Sequence, residues 1–142
     1  MIVVDDLLLF ETLAGSRPTF PAMGTDGLGS TFSWYYRLAR AVATGRVEGS
    51  LSRRFAALTD DRRRRVLTYL DELPTTITIL HARELVPVMR ALSSLAHVNF
   101  LTAEAVASAI VLEAPIFVST SSDLLSNAAA RAHVEVVVLP TA

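Results

Sequence analysis

Short apolar runs rich in β-branched residues alternate along this chain with longer segments whose apolar residues recur every three or four positions. The short runs are typical of buried strands, and the longer segments are typical of amphipathic helices. The predicted strands cover residues 2–4, 76–80, 115–118 and 134–138. The predicted helices cover residues 7–14, 33–44, 83–96, 103–113 and 122–132, with two more that end near residues 58 and 73. Residues 15–31 contain four glycines and two prolines, which predicts a long loop.

The order of these elements predicts an α/β fold. Strands separated by helices favour right-handed crossovers, and these produce a central parallel sheet with helices on both faces. We expect the first strand to lie in the middle of that sheet. The 142 residues fit a single domain, residues 1–142, with one core. Ligands of such sheets gather at the carboxyl ends of the strands, so Asp5, Asp6 and the turn at 119–123 are the first places to search for a site.

Composition narrows the class of protein. The chain has no cysteine, which excludes disulfides, zinc–thiolate sites and thiol nucleophiles. No apolar run approaches the roughly 20 residues of a membrane helix, and the start has neither the basic residues nor the long apolar run of a signal peptide. We therefore expect a cytoplasmic protein that does not enter membranes.

The charged residues are unevenly distributed. All thirteen basic residues are arginine, which together with the heavy use of alanine is typical of GC-rich bacterial genomes. Residues 37–65 contain nine arginines and three acids, a net charge of +6, whereas the rest of the chain carries −7. The pattern permits two interpretations: a basic face for phosphates beside an acidic metal pocket, or solvated arginine-rich helices.

Three consecutive aromatic residues, Trp34, Tyr35 and Tyr36, lie on one predicted helix. At ~100° per residue they cannot all face the core. One interpretation places Trp34 in the core with a tyrosine at its rim. The other uses Tyr35 or Tyr36, with Arg37 and Arg40, to stack on and pair with single-stranded RNA. The residues predicted to bind nucleic acid are Tyr36, Arg37, Arg40, Arg53 and Arg54.

Several catalytic classes are excluded by missing residues. The opening I-V-V-D-D is similar to the start of a response-regulator receiver domain, but a receiver needs a lysine after its last strand and this chain has none. A Walker loop in its usual form is excluded for the same reason. The chain also lacks a G-x-S-x-G nucleophile elbow.

The same opening and the whole order of elements resemble a PIN domain. PIN domains begin with a hydrophobic strand that ends in an aspartate, and Asp5 occupies that place. Their last third has an alanine-rich helix, a strand, a threonine-containing turn, a helix and a strand, and residues 102–140 are similar to it. PIN domains are the fold of metal-dependent ribonucleases, among them the toxins of bacterial toxin–antitoxin pairs.

The resemblance implies an acidic metal site. PIN chemistry uses about four carboxylates to hold one or two Mg²⁺ or Mn²⁺ ions, which activate water. Asp5 matches the first carboxylate, Glu104 is the candidate for the third, and Asp123 stands one place late for the fourth. The helix at 33–44 has no acid for the second. Glu104 and Asp123 also have a structural interpretation, as acids that stabilise a first helical turn.

Two functions stay open from the sequence. The first is a Mg²⁺- or Mn²⁺-dependent endoribonuclease of the toxin type, with Asp5, Glu104 and Asp123 as catalytic and metal-binding residues. The second is a catalytically degenerate PIN-like module that binds RNA or protein. A homodimer and a small antitoxin protein as partner are implied by the resemblance. A flavodoxin-like binder of small molecules is a third alternative, but no phosphate-binding glycine loop follows the first strand.

Overall fold

The computed structural model describes residues 1–16 and 27–140, which contain five strands separated from one another by one to three of seven helices. No helix in these ranges is long and apolar enough to cross a membrane. The elements in chain order are β1 (Ile2–Val4), α1 (Asp6–Ala14), β2 (Leu28–Ser30), α2 (Phe32–Ala43), α3 (Ser50–Ala56), α4 (Asp60–Asp71), β3 (Ile77–Ile79), α5 (Ala82–Leu92), α6 (Phe100–Leu112), β4 (Ile116–Val118), α7 (Asp123–Arg131) and β5 (Val136–Val138).

The strands form one sheet in the order β3-β2-β1-β4-β5, and every neighbouring pair is parallel. Strand β1 is central, as the sequence predicts. It pairs with β2 on one side, where Ile2 lies opposite Leu28, and with β4 on the other, where Val3 lies opposite Ile116. The α/β prediction with a central parallel sheet is confirmed.

Helices cover both faces of the sheet because β1 is apolar on both sides. Ile2 and Val4 belong to a core cluster with helices α1, α2 and α4, whereas Val3 points to a second cluster with α5, α6 and α7. Successive side chains of a strand point to opposite faces, so a fully apolar run such as Ile2–Val4 is buried in both layers. The three-layer arrangement follows from that run.

Strand β2 corrects the prediction of a long loop at 15–31. Part of that range, 17–26, lies outside the described residues, but Leu28–Ser30 is a buried strand. A Cβ atom on Gly29 would lie 2.8 Å from Leu112 Cδ1 of α6. The glycine that weakens the strand signal in the sequence thus leaves room for the side chain of Leu112 beside the sheet.

The start of α6 also differs from the prediction. The sequence predicts a helix that starts at residue 103, with Thr102 before it as the cap, but the helix begins at Phe100. Asn99 caps it by accepting a 2.8 Å hydrogen bond from Thr102 N. Thr102 is therefore a buried residue inside the first turn. Glu104 consequently lies in the second turn of the helix, beyond the positions where an acid satisfies free backbone N–H groups of its own helix.

Candidate functional site

The candidate site lies where the order of the strands reverses. From β1 the chain turns through α1 on one face of the sheet, and from β4 it turns through α7 on the other face. Diverging connections of this kind leave a crevice at the carboxyl ends of the two strands. A cavity of about 630 Å³ occupies this crevice, and it is lined by Asp5 and Asp6 after β1 and by the turn 119–122 after β4.

Three further elements complete the cavity wall. Helix α2 contributes its middle turns, α3 its amino-terminal end, and α6 its first turns. The polar residues from these elements and the preceding loop are Arg37, Arg40, Glu48, Ser50, Ser52 and Thr102. The apolar lining is Leu7, Trp34, Ala41, Leu51, Leu101, Ala105, Val118 and Leu125.

Asp5 joins the two strands that flank the crevice. Its Oδ1 accepts a 3.0 Å hydrogen bond from Leu8 N and caps α1. Its Oδ2 accepts two more from the residue that follows β4, one from Ser119 N at 2.7 Å and one from Ser119 Oγ at 2.6 Å. The residue is only 6% exposed. Both oxygens of the carboxylate are thus already hydrogen-bonded to the protein.

Asp6 is the second acid of the cavity, and it faces Arg37. The Arg37 Nε atom lies 3.6 Å from Asp6 Oδ2, and the Asp6 side chain is mostly buried while that of Arg37 is exposed. Burial raises the pKa of the Asp6 carboxyl, the guanidinium of Arg37 opposes this, and the charge of Asp5 adds to the rise. The sequence places Asp6 among the first positions to search for a site, because it follows the first strand, and the structure places it in the wall of the cavity.

Arg40 and two hydroxyl groups of the turn after β4 are free to bind a ligand. Arg40 is exposed, lines the cavity and makes no hydrogen bond or ion pair to any described residue. Thr120 and Ser121 are exposed at the same cavity, and their hydroxyls have no partner within 1–16 or 27–140. A guanidinium and hydroxyls are donors that suit an anionic oxygen such as that of a phosphate.

Glu104 and Asp123, the other two predicted site residues, do not line this cavity. Glu104 is 4% exposed, and its Oε1 accepts a 3.2 Å hydrogen bond from Ser33 N in the first turn of α2. Its charge stabilises the amino-terminal end of that helix. Asp123 is exposed in the first turn of α7, directly after the capping residue Ser122. Asp123 matches the interpretation of an acid in the first turn of its own helix. Glu104 does not, because it lies in the second turn of α6 and supports the start of α2 instead.

The residues present do not fit the metal centre that the PIN resemblance implies. A hard divalent ion needs several oxygen ligands at about 2.0–2.6 Å. Within the described parts of the chain, no three of the His, Cys, Asp and Glu residues lie together in a way that could hold such an ion. The predicted set of Asp5, Glu104 and Asp123 therefore does not form a ligand shell in this structure.

The residues predicted to bind nucleic acid divide into two groups. Arg37 and Arg40 line the cavity, whereas Tyr36, Arg53 and Arg54 do not. Arg54, at the far end of α3 from the cavity, lies with its Nη1 atom 3.9 Å from Glu11 Oε1. Arg53 is exposed in the same last turn.

The aromatic run on α2 separates into a core part and an exposed part. Trp34 is buried in the cluster below the cavity. The hydroxyl of Tyr35 donates a hydrogen bond to the carbonyl oxygen of Leu70 on α4. Tyr36 is exposed. The expectation that the three rings cannot all be buried is confirmed, and so is the core position of Trp34.

The sequence predicts the turn at 119–123 as part of the site, but it does not predict the hydrogen bond between Asp5 and Ser119. The turn at 119–123 was expected there, because it follows a strand whose carboxyl end meets that of β1. The hydrogen bond between Asp5 and Ser119 links residues 114 positions apart, and no local sequence pattern predicts it. A serine directly after a strand is its only trace.

Comparison with known proteins does not extend these observations. No protein-family model matches this chain, and a search of curated proteins gives no match either.

Proposed function

We propose that this chain is a PIN-like module that binds RNA through the cavity at the carboxyl ends of β1 and β4, and that it does not cleave RNA by a metal-dependent reaction. The observation that carries the proposal is the carboxylate of Asp5. Three protein hydrogen bonds occupy it, so the acid that the resemblance makes the central metal ligand acts as a structural link between α1 and β4.

The binding half of the proposal rests on the groups that remain free. Arg40, Thr120 and Ser121 converge on one cavity and have no partner among the described residues. Asp6 is paired with Arg37, so its charge is partly compensated. Among the described residues of the wall, Glu48 is the one exposed acid, and it opposes the binding of an anion. A phosphate therefore finds its donors near Arg40.

RNA binding is tested by the fluorescence anisotropy of a labelled, unstructured RNA oligonucleotide at several salt concentrations. Arg40→Ala is expected to weaken binding and to reduce the salt dependence of log K by about 0.7, the value for one lost phosphate contact with a single strand. Glu48→Gln removes a like charge from the same wall and is expected to tighten binding. Arg90→Ala on α5 removes an exposed arginine outside the cavity and is the matched control.

Cleavage is tested on the same RNA incubated with Mg²⁺ or Mn²⁺. The expected result is intact RNA with either ion. Cleavage by the wild-type chain that Asp5→Asn abolishes would establish the endoribonuclease and reject the proposal. If neither binding nor cleavage is found, or if Arg40→Ala and Arg90→Ala have equal effects, the cavity is not an RNA site. The antitoxin and the homodimer stay predictions from the resemblance, and co-purification and light scattering test them.

A further inference from the structure

Two large aromatic side chains stand exposed on α2. Phe32 is 58% exposed and Tyr36 is 56% exposed. Their rings are stacked on each other, with centroids 6.3 Å apart and planes 16° from parallel. Adjacent exposed aromatic rings leave apolar surface in water, and surfaces of that kind mark sites where a ligand or partner covers them.

The aromatic pair is continuous with the wall of the cavity. Phe32, Tyr36 and Arg40 are spaced by four residues, so they form one ridge on the helix, with steps of about 6 Å along the axis and about 40° around it. Arg40, at the end of the ridge, lines the cavity and has no partner among the described residues. The ridge therefore leads from two stacked rings to a free guanidinium at the rim of the site.

We propose that Phe32 and Tyr36 form a stacking platform for an unpaired base of single-stranded RNA, whose neighbouring phosphate is held by Arg40. This inference rests on the function proposed above and names its substrate class. An aromatic ring stacks on any base that has a free face, and unpaired bases provide one. In a duplex both faces of a base are covered by its neighbours, so duplex RNA has no base face that could stack on Phe32 and Tyr36.

The charge of α2 favours a nucleic acid over a protein as the occupant. The helix has the sequence F-S-W-Y-Y-R-L-A-R-A-V-A, which contains two arginines and no acidic residue. The exposed ridge thus presents aromatic rings followed by a positive charge, which complements a base followed by a phosphate. An apolar protein helix laid along the ridge would cover the rings and leave Arg40 buried against it without a partner.

Glu104 gives the platform a direction. Its buried carboxylate lies at the amino-terminal end of α2, where it accepts the hydrogen bond from Ser33 N. That end of the helix would otherwise attract a phosphate. Because the position is already taken by a negative charge, the base lies over Phe32 and Tyr36 and the phosphate lies toward Arg40.

The platform is tested by substitutions that remove a ring but keep its apolar bulk. Tyr36→Leu is expected to weaken binding of a single-stranded RNA by roughly five- to a hundredfold, the effect of losing one base–aromatic stack. Tyr36→Phe keeps the ring and is expected to bind within about twofold of wild type. Leu67→Ala on α4, which also removes an exposed apolar side chain, is the control and is expected to change nothing.

A second measurement uses RNA in which one nucleotide is abasic. The abasic position is moved along the RNA, and at the best-placed position wild-type protein is expected to bind as weakly as Tyr36→Leu binds the intact RNA. Tyr36→Leu is expected to bind that abasic RNA no more weakly than it binds the intact RNA. Duplex RNA of the same length is expected to bind Tyr36→Leu and wild type equally. Far-ultraviolet circular dichroism of each variant establishes that it is folded.

The outcomes separate this inference from the function on which it rests. If wild-type protein does not bind RNA, or binds it independently of Arg40, the proposed function fails and the platform fails with it. If binding requires Arg40 but is the same in Tyr36→Leu and wild type, the function stands and the platform is wrong. If Tyr36→Leu instead changes the oligomeric state in light scattering while RNA binding is unaltered, the aromatic pair is a protein interface and the inference is overturned.

Discussion

Replacing Asp5 by alanine removes the acceptor of three hydrogen bonds at once. Leu8 N loses the hydrogen bond by which Asp5 caps α1. Ser119 loses the acceptor of both its backbone N–H and its hydroxyl. The hydroxyl can rotate toward water in the cavity, but the backbone N–H of Leu8 is buried and that of Ser119 is half-buried. We therefore expect Asp5→Ala to destabilise the fold itself.

The magnitude follows from the separate contributions. Loss of an N-cap costs about 1 kcal/mol, and a backbone donor left buried without an acceptor costs about 1–3 kcal/mol. Asp5→Ala is thus expected to reduce the free energy of unfolding by about 2–4 kcal/mol. Ser119→Ala removes the hydroxyl alone and is expected to cost about 1.5 kcal/mol, since hydrogen bonds to charged groups are the stronger ones.

Urea unfolding followed by tryptophan fluorescence measures these differences, because Trp34 is the only tryptophan of the chain and is buried. Asp123→Ala is the matched control: it removes an exposed acid from a helix start and is expected to cost no more than about 1 kcal/mol. The double variant of Asp5 and Ser119 measures their coupling. A loss below about 1 kcal/mol for Asp5→Ala would refute the structural role and leave its carboxylate available to a metal ion.

Two further predictions concern stability. The pKa of Asp6 is raised in the fold, mainly by burial, so its contribution to stability is full below the ordinary aspartate value of about 3.9 and is lost as the pH rises through its raised pKa. Urea unfolding measures the free energy of unfolding of Asp6→Asn and of wild type from below pH 4 to neutral pH. The difference between them is expected to change in favour of the variant as the pH rises, and a difference that is constant with pH would contradict the raised pKa of Asp6. Gly27 has φ of 78°, and a Cβ atom there would lie 2.2 Å from the carbonyl oxygen of Thr76. Gly27→Ala is expected to lower the midpoint of thermal unfolding by several degrees, and an unchanged midpoint would show that the β2–β3 contact tolerates a side chain.

The sheet could be predicted because its strands are specified locally. The runs around Ile2, Ile77, Ile116 and Val136 are β-branched, and each is followed or preceded by a helix signal. Strand β2 could not be found in this way, since Gly29 gives no strand preference. What makes Leu28–Ser30 a strand is its position between β1 and β3, which is a property of the tertiary structure.

The candidate site was only partly predictable for a related reason. Asp5 could be placed at the carboxyl end of the sheet, because strand ends follow from local patterns, and Arg37 and Arg40 could be named as candidates for binding nucleic acid. The hydrogen-bond partner of each acid could not be predicted from the sequence. Asp5 bonds to Ser119, and Glu104 bonds to Ser33 across 71 residues. Those long-range bonds determine that the acids support helices in this structure and do not converge on an ion.

The pairing of β1 with β4 has a consequence for synthesis on the ribosome. Strands β1, β2 and β3 have all emerged once residue 79 is free, and they can pair with one another. At that stage the opposite edge of β1 has no partner strand until Ile116–Val118 has been made, and the carboxylate of Asp5 lacks the hydrogen bonds from Ser119. A nascent chain halted before that point carries an open edge on its central strand, which invites pairing with other chains. It also lacks one wall of the cavity, which is complete only when the last third of the chain has been made.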